Sequence, residues 1–143
     1  MKYLLDTNIY LGAFRSEERK ERFRSAFFPL IPQTFLSSVV AFELSVNSKD
    51  RKTRELVGNL TDPMLRTGRV VSPRFEDWLQ ASEILTDIEA HEKRWKSKLP
   101  ALLNDVLIAL CARQIGATLI TCNRDDFLLI HRHTDFHLRV LMD

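Results

Sequence analysis

Glycine and cysteine are scarce in this chain of 143 residues, with four of the first and two of the second, and long apolar runs are absent. Each shortage removes a class of function. Four scattered glycines leave no Gly-rich loop to cradle nucleotide phosphates, and no Gly-x-Ser-x-Gly turn presents a serine nucleophile. Two cysteines, Cys111 within a helical pattern and Cys122 at a strand end, are expected to be a reduced, buried pair rather than a disulfide. No stretch approaches the ~18 apolar residues of a membrane span, and the early Asp6 breaks any secretory leader, so a cytoplasmic protein with no membrane partner is expected. A large excess of one charge is also missing. With 21 basic and 19 acidic residues the net charge is +2, which permits a nucleic-acid partner without arguing for one.

What is present suits one self-sufficient domain spanning residues 1–143. Hydrophobic content of 45% and charged content of 28% are those of a soluble globular protein, and this length buries roughly two-thirds of the unfolded surface. No internal repeat, low-complexity tract or linker divides it. Residues 2–6 read as a buried strand, and Ser16 followed by Glu17 and Glu18 reads as a capped helix start running to Pro29. Pro29 and Pro32 bracket a turn. Thr34 to Ser37 form a second strand, and a helix follows with Ser37 or Ser38 as its cap. Arg69 to Val71 make a short strand, and Trp78, Ala81, Ile84, Leu85 and Ile88 recur at helical spacing. Leu103, Val106, Leu107, Leu110 and Cys111 form another stripe that ends at Gly116, before a strand at 117–121. Phe136, Leu138 and Val140 alternate with polar residues, as in an edge strand. Strands alternating with helices predict an α/β fold: a mostly parallel central sheet flanked by helices.

In such sheets, sites form beyond the carboxyl ends of strands. Asp6 stands there after "YLL", and Asn123, Asp125 and Asp126 follow "TLIT". Glu43 interrupts "VVAFELSV" and Asp105 interrupts "LLNDVLIAL", so two further carboxylates sit in strongly apolar helices, where desolvation costs several kcal/mol. Each acid alone has an ordinary explanation. Asp6 could cap the next helix, Glu43 could pair with an arginine, Asp105 could meet a helix dipole near its start, and Asp125 and Asp126 could belong to a solvated turn, the reading preferred for Asp125. Together they point to a cation site, because clustered carboxylates repel unless a hard divalent ion such as Mg2+ or Mn2+ neutralises them.

The segments "LLDTNIYL", "SSVVAFEL" and "LLNDVLIALCARQIGATLITCNRDDF", in that order, resemble the PIN-domain ribonucleases, and among them the VapC-type toxins of toxin–antitoxin pairs. The resemblance implies a single PIN-like domain acting as a metal-dependent endoribonuclease. It implies that Asp6, Glu43, Asp105 and Asp126 are the catalytic acids, with Asp6 and Asp105 as direct ligands of Mg2+ or Mn2+. Thr7, Asn8, Thr121 and Asn123 then orient those acids. It also implies RNA as substrate, hydrolysis leaving a 5′-phosphate, a VapB-like antitoxin as partner, and a homodimer. One position departs from the family pattern: Asn123 stands where many PIN domains carry a fourth acid, and it brings no charge. A noncatalytic PIN-like binding module with an impaired metal site is therefore the alternative reading.

Substrate grip has two candidate patches. Arg15, Arg19, Lys20, Arg22 and Arg24 share one helical stretch, and Lys93, Arg94, Lys96 and Lys98 surround Trp95, a candidate stacking platform for bases. Phe23, Phe27 and Phe28 are expected to be core, or else a groove for a partner helix. His131 and His133 lack the companions of a transition-metal site and read as surface residues.

Overall fold

Leu4 and Leu5 are covered almost completely because β1 (Tyr3–Leu5) is the central strand of five, with sheet on either side. The computed structural model describes residues 1–142. After β1 come α1 (Thr7–Arg15), α2 (Glu17–Phe27), a 3-10 turn (Phe28–Gln33), β2 (Thr34–Ser37), α3 (Ser38–Val46), α4 (Arg51–Arg66) and β3 (Val70–Val71). Then α5 (Phe75–His91), a 3-10 segment (Lys93–Lys98), α6 (Leu99–Ile115), β4 (Thr118–Thr121), α7 (Arg124–His131) and β5 (His137–Val140) complete the fold. The strand order is β3-β2-β1-β4-β5 and every pair is parallel. Tyr3 lies opposite Thr34 on one side and Thr118 on the other, and Leu5 lies opposite Ile120. The chain builds outward from β1 through β2 and β3, then returns to build β4 and β5 on the far side. The switch falls between β1 and β4, where open parallel sheets form their crevice.

Local chemistry sets the element ends. Ser16 caps α2 by accepting from the Arg19 amide, and Ser37 caps α3 by accepting from the Val39 amide. Gly116 ends α6 at φ 65°, a conformation that costs a residue with a Cβ about 1 kcal/mol or more. Every residue of α6 from Val106 through Ala112 is buried, so this part of the helix fills the core instead of lining it. Replacing Leu107 by Ala there would cost about 2–5 kcal/mol.

Three helices lie where the sequence reading assigned none: α1, α4 and α7. The first begins one residue after β1 ends, with no loop to announce it. The second carries Gly58 and Pro63 within its span, both poor helix formers. The third starts at Arg124, so Asp125 and Asp126 occupy its first turn, where acids suit the helix dipole, and not a free turn. Both cysteines are free, Cys111 buried and Cys122 half-buried. Phe27 is core and Phe23 packs beside it with ring centroids 5.3 Å apart, whereas Phe28 is exposed. Among the described residues no helix is long and apolar enough to cross a membrane.

Candidate active site

Four elements deliver one acid each to the crevice. Asp6 follows β1, Glu43 sits in α3 after β2, Asp105 lies in the second turn of α6, and Asp126 is in the first turn of α7 after β4. Their convergence comes from parallel pairing, which places the ends of β1, β2 and β4 on one edge. Asp105 is well inside its helix, so interaction with the α6 dipole does not account for it.

A continuous chain of hydrogen bonds orients the acids. Asp6 is buried. Its Oδ1 accepts from the Thr7 amide at 2.8 Å, capping α1, and its Oδ2 accepts from the Thr121 hydroxyl at 2.7 Å. The Thr7 hydroxyl donates to Glu43 Oε1 at 2.6 Å, and Asn104 Nδ2 donates to Glu43 Oε2 at 3.3 Å. The Asn123 amide donates to the Thr121 hydroxyl at 2.9 Å, and Asn123 Nδ2 donates to Asp126 Oδ2 at 2.9 Å. Asn8 Oδ1 accepts from the Cys122 amide at 3.4 Å and so ties α1 to the end of β4. Thus Asp6 both caps its helix and faces the crevice. Glu43 has hydroxyl and amide partners where a pairing arginine was the ordinary explanation.

Asn104 was missed by sequence reasoning. The signal available was a second polar residue beside Asp105 in an otherwise apolar helix, but nothing local shows that it turns toward α3.

Electrostatics mark this edge as incomplete. Among the described residues no lysine, arginine or histidine pairs with any of the four acids. Burial pushes the Asp6 carboxyl up to about 6; the Thr121 hydroxyl and Thr7 amide hold it down in part, and the charges of Glu43 and Asp126 add to the rise. Asp105 is pushed up to about 9, first by burial, then by the charge of Asp6, a hydrogen bond with Asp126, and the charges of Asp126 and Glu43. With its pKa raised to about 9, the Asp105 carboxyl favours its protonated form at neutral pH.

The donor set fits a hard divalent cation in kind: several carboxylate oxygens with excess negative charge, no thiolate and no imidazole. As placed, no three His, Cys, Asp or Glu side chains among the described residues close around a single point. Glu43 is turned toward Thr7 and Asn104, and Asp105 toward Asp126, as carboxylates do when their own hydrogen bonds are what satisfies them. The histidines supply no alternative site, since a ring nitrogen of His131 lies 3.1 Å from the Phe136 carbonyl oxygen.

A cleft of about 690 Å³ opens beside Asp126, lined by Arg94, Trp95, Lys98, Asn123, Asp125, Leu128 and Arg132 as well. Trp95 is only 8% exposed, which corrects the expectation of a stacking platform. Lys98 Nζ lies 5.2 Å from its ring centroid and the Arg94 guanidinium carbon 6.0 Å, so the indole supports cations instead of bases.

Comparison with solved structures returns the same architecture. FitAcB from Neisseria gonorrhoeae matches with a TM-score of 0.63 at 19% identity, over 95% of each chain. VapBC2 from Rickettsia felis, bound to a DNA fragment from its promoter, gives 0.60 at 23% identity over 99% of this chain and 100% of that one. DNA-bound VapBC from Salmonella typhimurium gives 0.61 at 20% over 98% of both. At such identities these likenesses establish the fold. Curated proteins gave no match. The family model for the PIN domain, however, matches residues 3–132. With a five-stranded parallel sheet, and acids gathered at its switch point, this chain belongs to the PIN domain family.

Proposed function

We propose that this protein is a Mg2+- or Mn2+-dependent endoribonuclease, with Asp6, Glu43, Asp105 and Asp126 as its catalytic acids. The observation that carries the reading is a set of four carboxylates, from four separate elements, facing one another without a cation among the described residues. Structural acids do not require that arrangement, and metal-assisted phosphodiester hydrolysis makes use of it.

Asp6 and Asp105 would hold the ion, Asp6 because its two oxygens are fixed by Thr7 and Thr121, Asp105 because it interacts with both Asp6 and Asp126. A bound divalent cation would supply charge neutralisation at the phosphate and a more acidic water. Thr7, Thr121, Asn123 and Asn104 keep the carboxylates in place, and Asn8 anchors α1 against β4. Glu43, whose two oxygens each accept one bond and keep a further lone pair, and Asp126, with Oδ2 committed to Asn123, can hold and orient water. Asn123 serves by orienting Asp126, which is the fourth carboxylate in place of the residue the family pattern puts at 123.

A toxin role, a VapB-like antitoxin and a homodimer belong to the same proposal. They are supported by the sequence resemblance and by the VapBC complexes among the structural likenesses. Cytoplasmic action on RNA completes it.

The test is cleavage of single-stranded RNA by purified protein with Mg2+ or Mn2+. Asp6→Ala and Asp105→Ala should each abolish cleavage without loss of fold, and full activity in either would overturn the assignment. Mn2+ titration separates the alternative: saturable binding that weakens in Asp105→Asn supports the enzyme, and absence of binding supports a noncatalytic module.

A further inference from the structure

Resting on the nuclease reading, we infer that the cleft between the Lys93–Lys98 segment and α7 is the binding groove for one single-stranded RNA segment flanking the cleaved bond. Arg94 and Lys98 hold its phosphates. Three observations meet here. First, Asn123 and Asp126 belong to both the acid edge and the cleft, and they are joined by a 2.9 Å hydrogen bond, so the two features are continuous. A phosphodiester placed at the acids therefore has its neighbouring nucleotides in or beside this cleft.

Second, the cations of the cleft are unequally committed. Arg132 is paired with Glu92 at 3.2 Å. Arg94 and Lys98 have no carboxylate partner among the described residues, and both are exposed, resting near the buried Trp95 ring. They are the two positive charges free to meet an anion. Lys93 and Lys96, in the same segment, do not line the cleft.

Third, the acid edge repels a polyanion. Asp125 and Asp126 line the cleft, and Asp126 interacts in turn with Asp105 and Asp6, beside Glu43. A nucleic acid reaches such an edge only if nearby cations offset the repulsion. A volume of about 690 Å³ is of small-molecule size, which suits a short stretch of one strand.

The experiment compares wild-type protein with the Arg94→Ala/Lys98→Ala double variant in two assays. In cleavage with Mn2+, KM for single-stranded RNA should rise about tenfold or more with kcat little changed, as for lost uniform binding. In binding, measured in an Asp105→Asn background, removal of two phosphate contacts should flatten the slope of log K against log salt by about 1.4. A Trp78→Phe form leaves Trp95 as the sole indole, and its emission should change on RNA addition and not with duplex of equal length. Unchanged KM and salt slope in the double variant, with wild-type protein cleaving RNA, would sink the groove assignment alone. Wild-type protein inert toward RNA would sink the nuclease reading as well. Tighter binding of polyglutamate than of RNA at matched charge would reassign the cleft to an acidic protein segment and overturn the proposal.

Discussion

Two buried aspartates, Asp6 and Asp77, show how differently this fold treats a carboxylate. Both are more than nine-tenths covered. Burial raises the proton affinity of each, but at Asp77 it is outweighed. The Arg74 guanidinium at 3.3 Å, the Arg74 amide at 2.8 Å and the Gln114 side chain at 3.2 Å hold that carboxyl below its ordinary value. Asp77 also closes the capping box of α5. Asp6 receives a hydroxyl and an amide, meets other acids in place of a cation, and is left with raised proton affinity. Where an acid serves architecture, the chain supplies the counter-charge; at the crevice edge it supplies only orientation. The missing charge is the functional statement.

The contrast can be sharpened by supplying the charge. Mn2+ at a hundred times its dissociation constant should stabilise the protein by about 2.7 kcal/mol, read as a rise in Tm, and Asp105→Ala should remove that rise. It can be broken at Asp77: Asp77→Ala should lower stability by about 2 kcal/mol in urea unfolding, through loss of the cap and the guanidinium partner.

Asp105→Asn should have the opposite sign in metal-free protein at pH 8, stabilising by at least about 1.4 kcal/mol, one pKa unit's worth. The pH dependence follows from the directions. A carboxyl raised from 3.8 to about 9 in the folded state contributes stability that is full below 3.8 and is lost as pH climbs through about 9. The advantage of Asp105→Asn should therefore vanish near pH 4. For Asp77, held low, the contribution is full above 3.8 and is lost as pH falls through its depressed value. The smallest effect is expected at Tyr10, whose buried hydroxyl has no partner among the described residues: Tyr10→Phe should be neutral or stabilise by up to about 1 kcal/mol.

The strands, the Ser16 and Ser37 caps and the Gly116 stop were legible because each rests on local chemistry. What escaped was decided elsewhere. Thr7, Asn8, Ile9 and Tyr10 are indifferent helix formers, and α1 exists because Asp6 caps it and the core receives Ile9 and Tyr10. In α4, Gly58 and Pro63 obscure the pattern that places Val57 and Met64 inside. At the site, the acids were readable as polar interruptions of apolar runs. Their mutual approach was inferred from the sheet-edge rule and from resemblance and was not legible pair by pair, since the bonds that fix it join residues as far apart as Asp6 and Thr121. Trp95 looked like a stacking surface because its flanking cations were visible and its burial was not.

An all-parallel arrangement has one more effect at this edge. Since β1, β2 and β4 all end there, α1, α3 and α7 all begin there, with Asp6, Ser37 and Asn123 at their starts. Their first backbone amides bring partial positive charge to the acid edge, an attraction for any phosphate that the proposed reaction would place there. That attraction is fixed by chain direction, and no single side-chain replacement removes it.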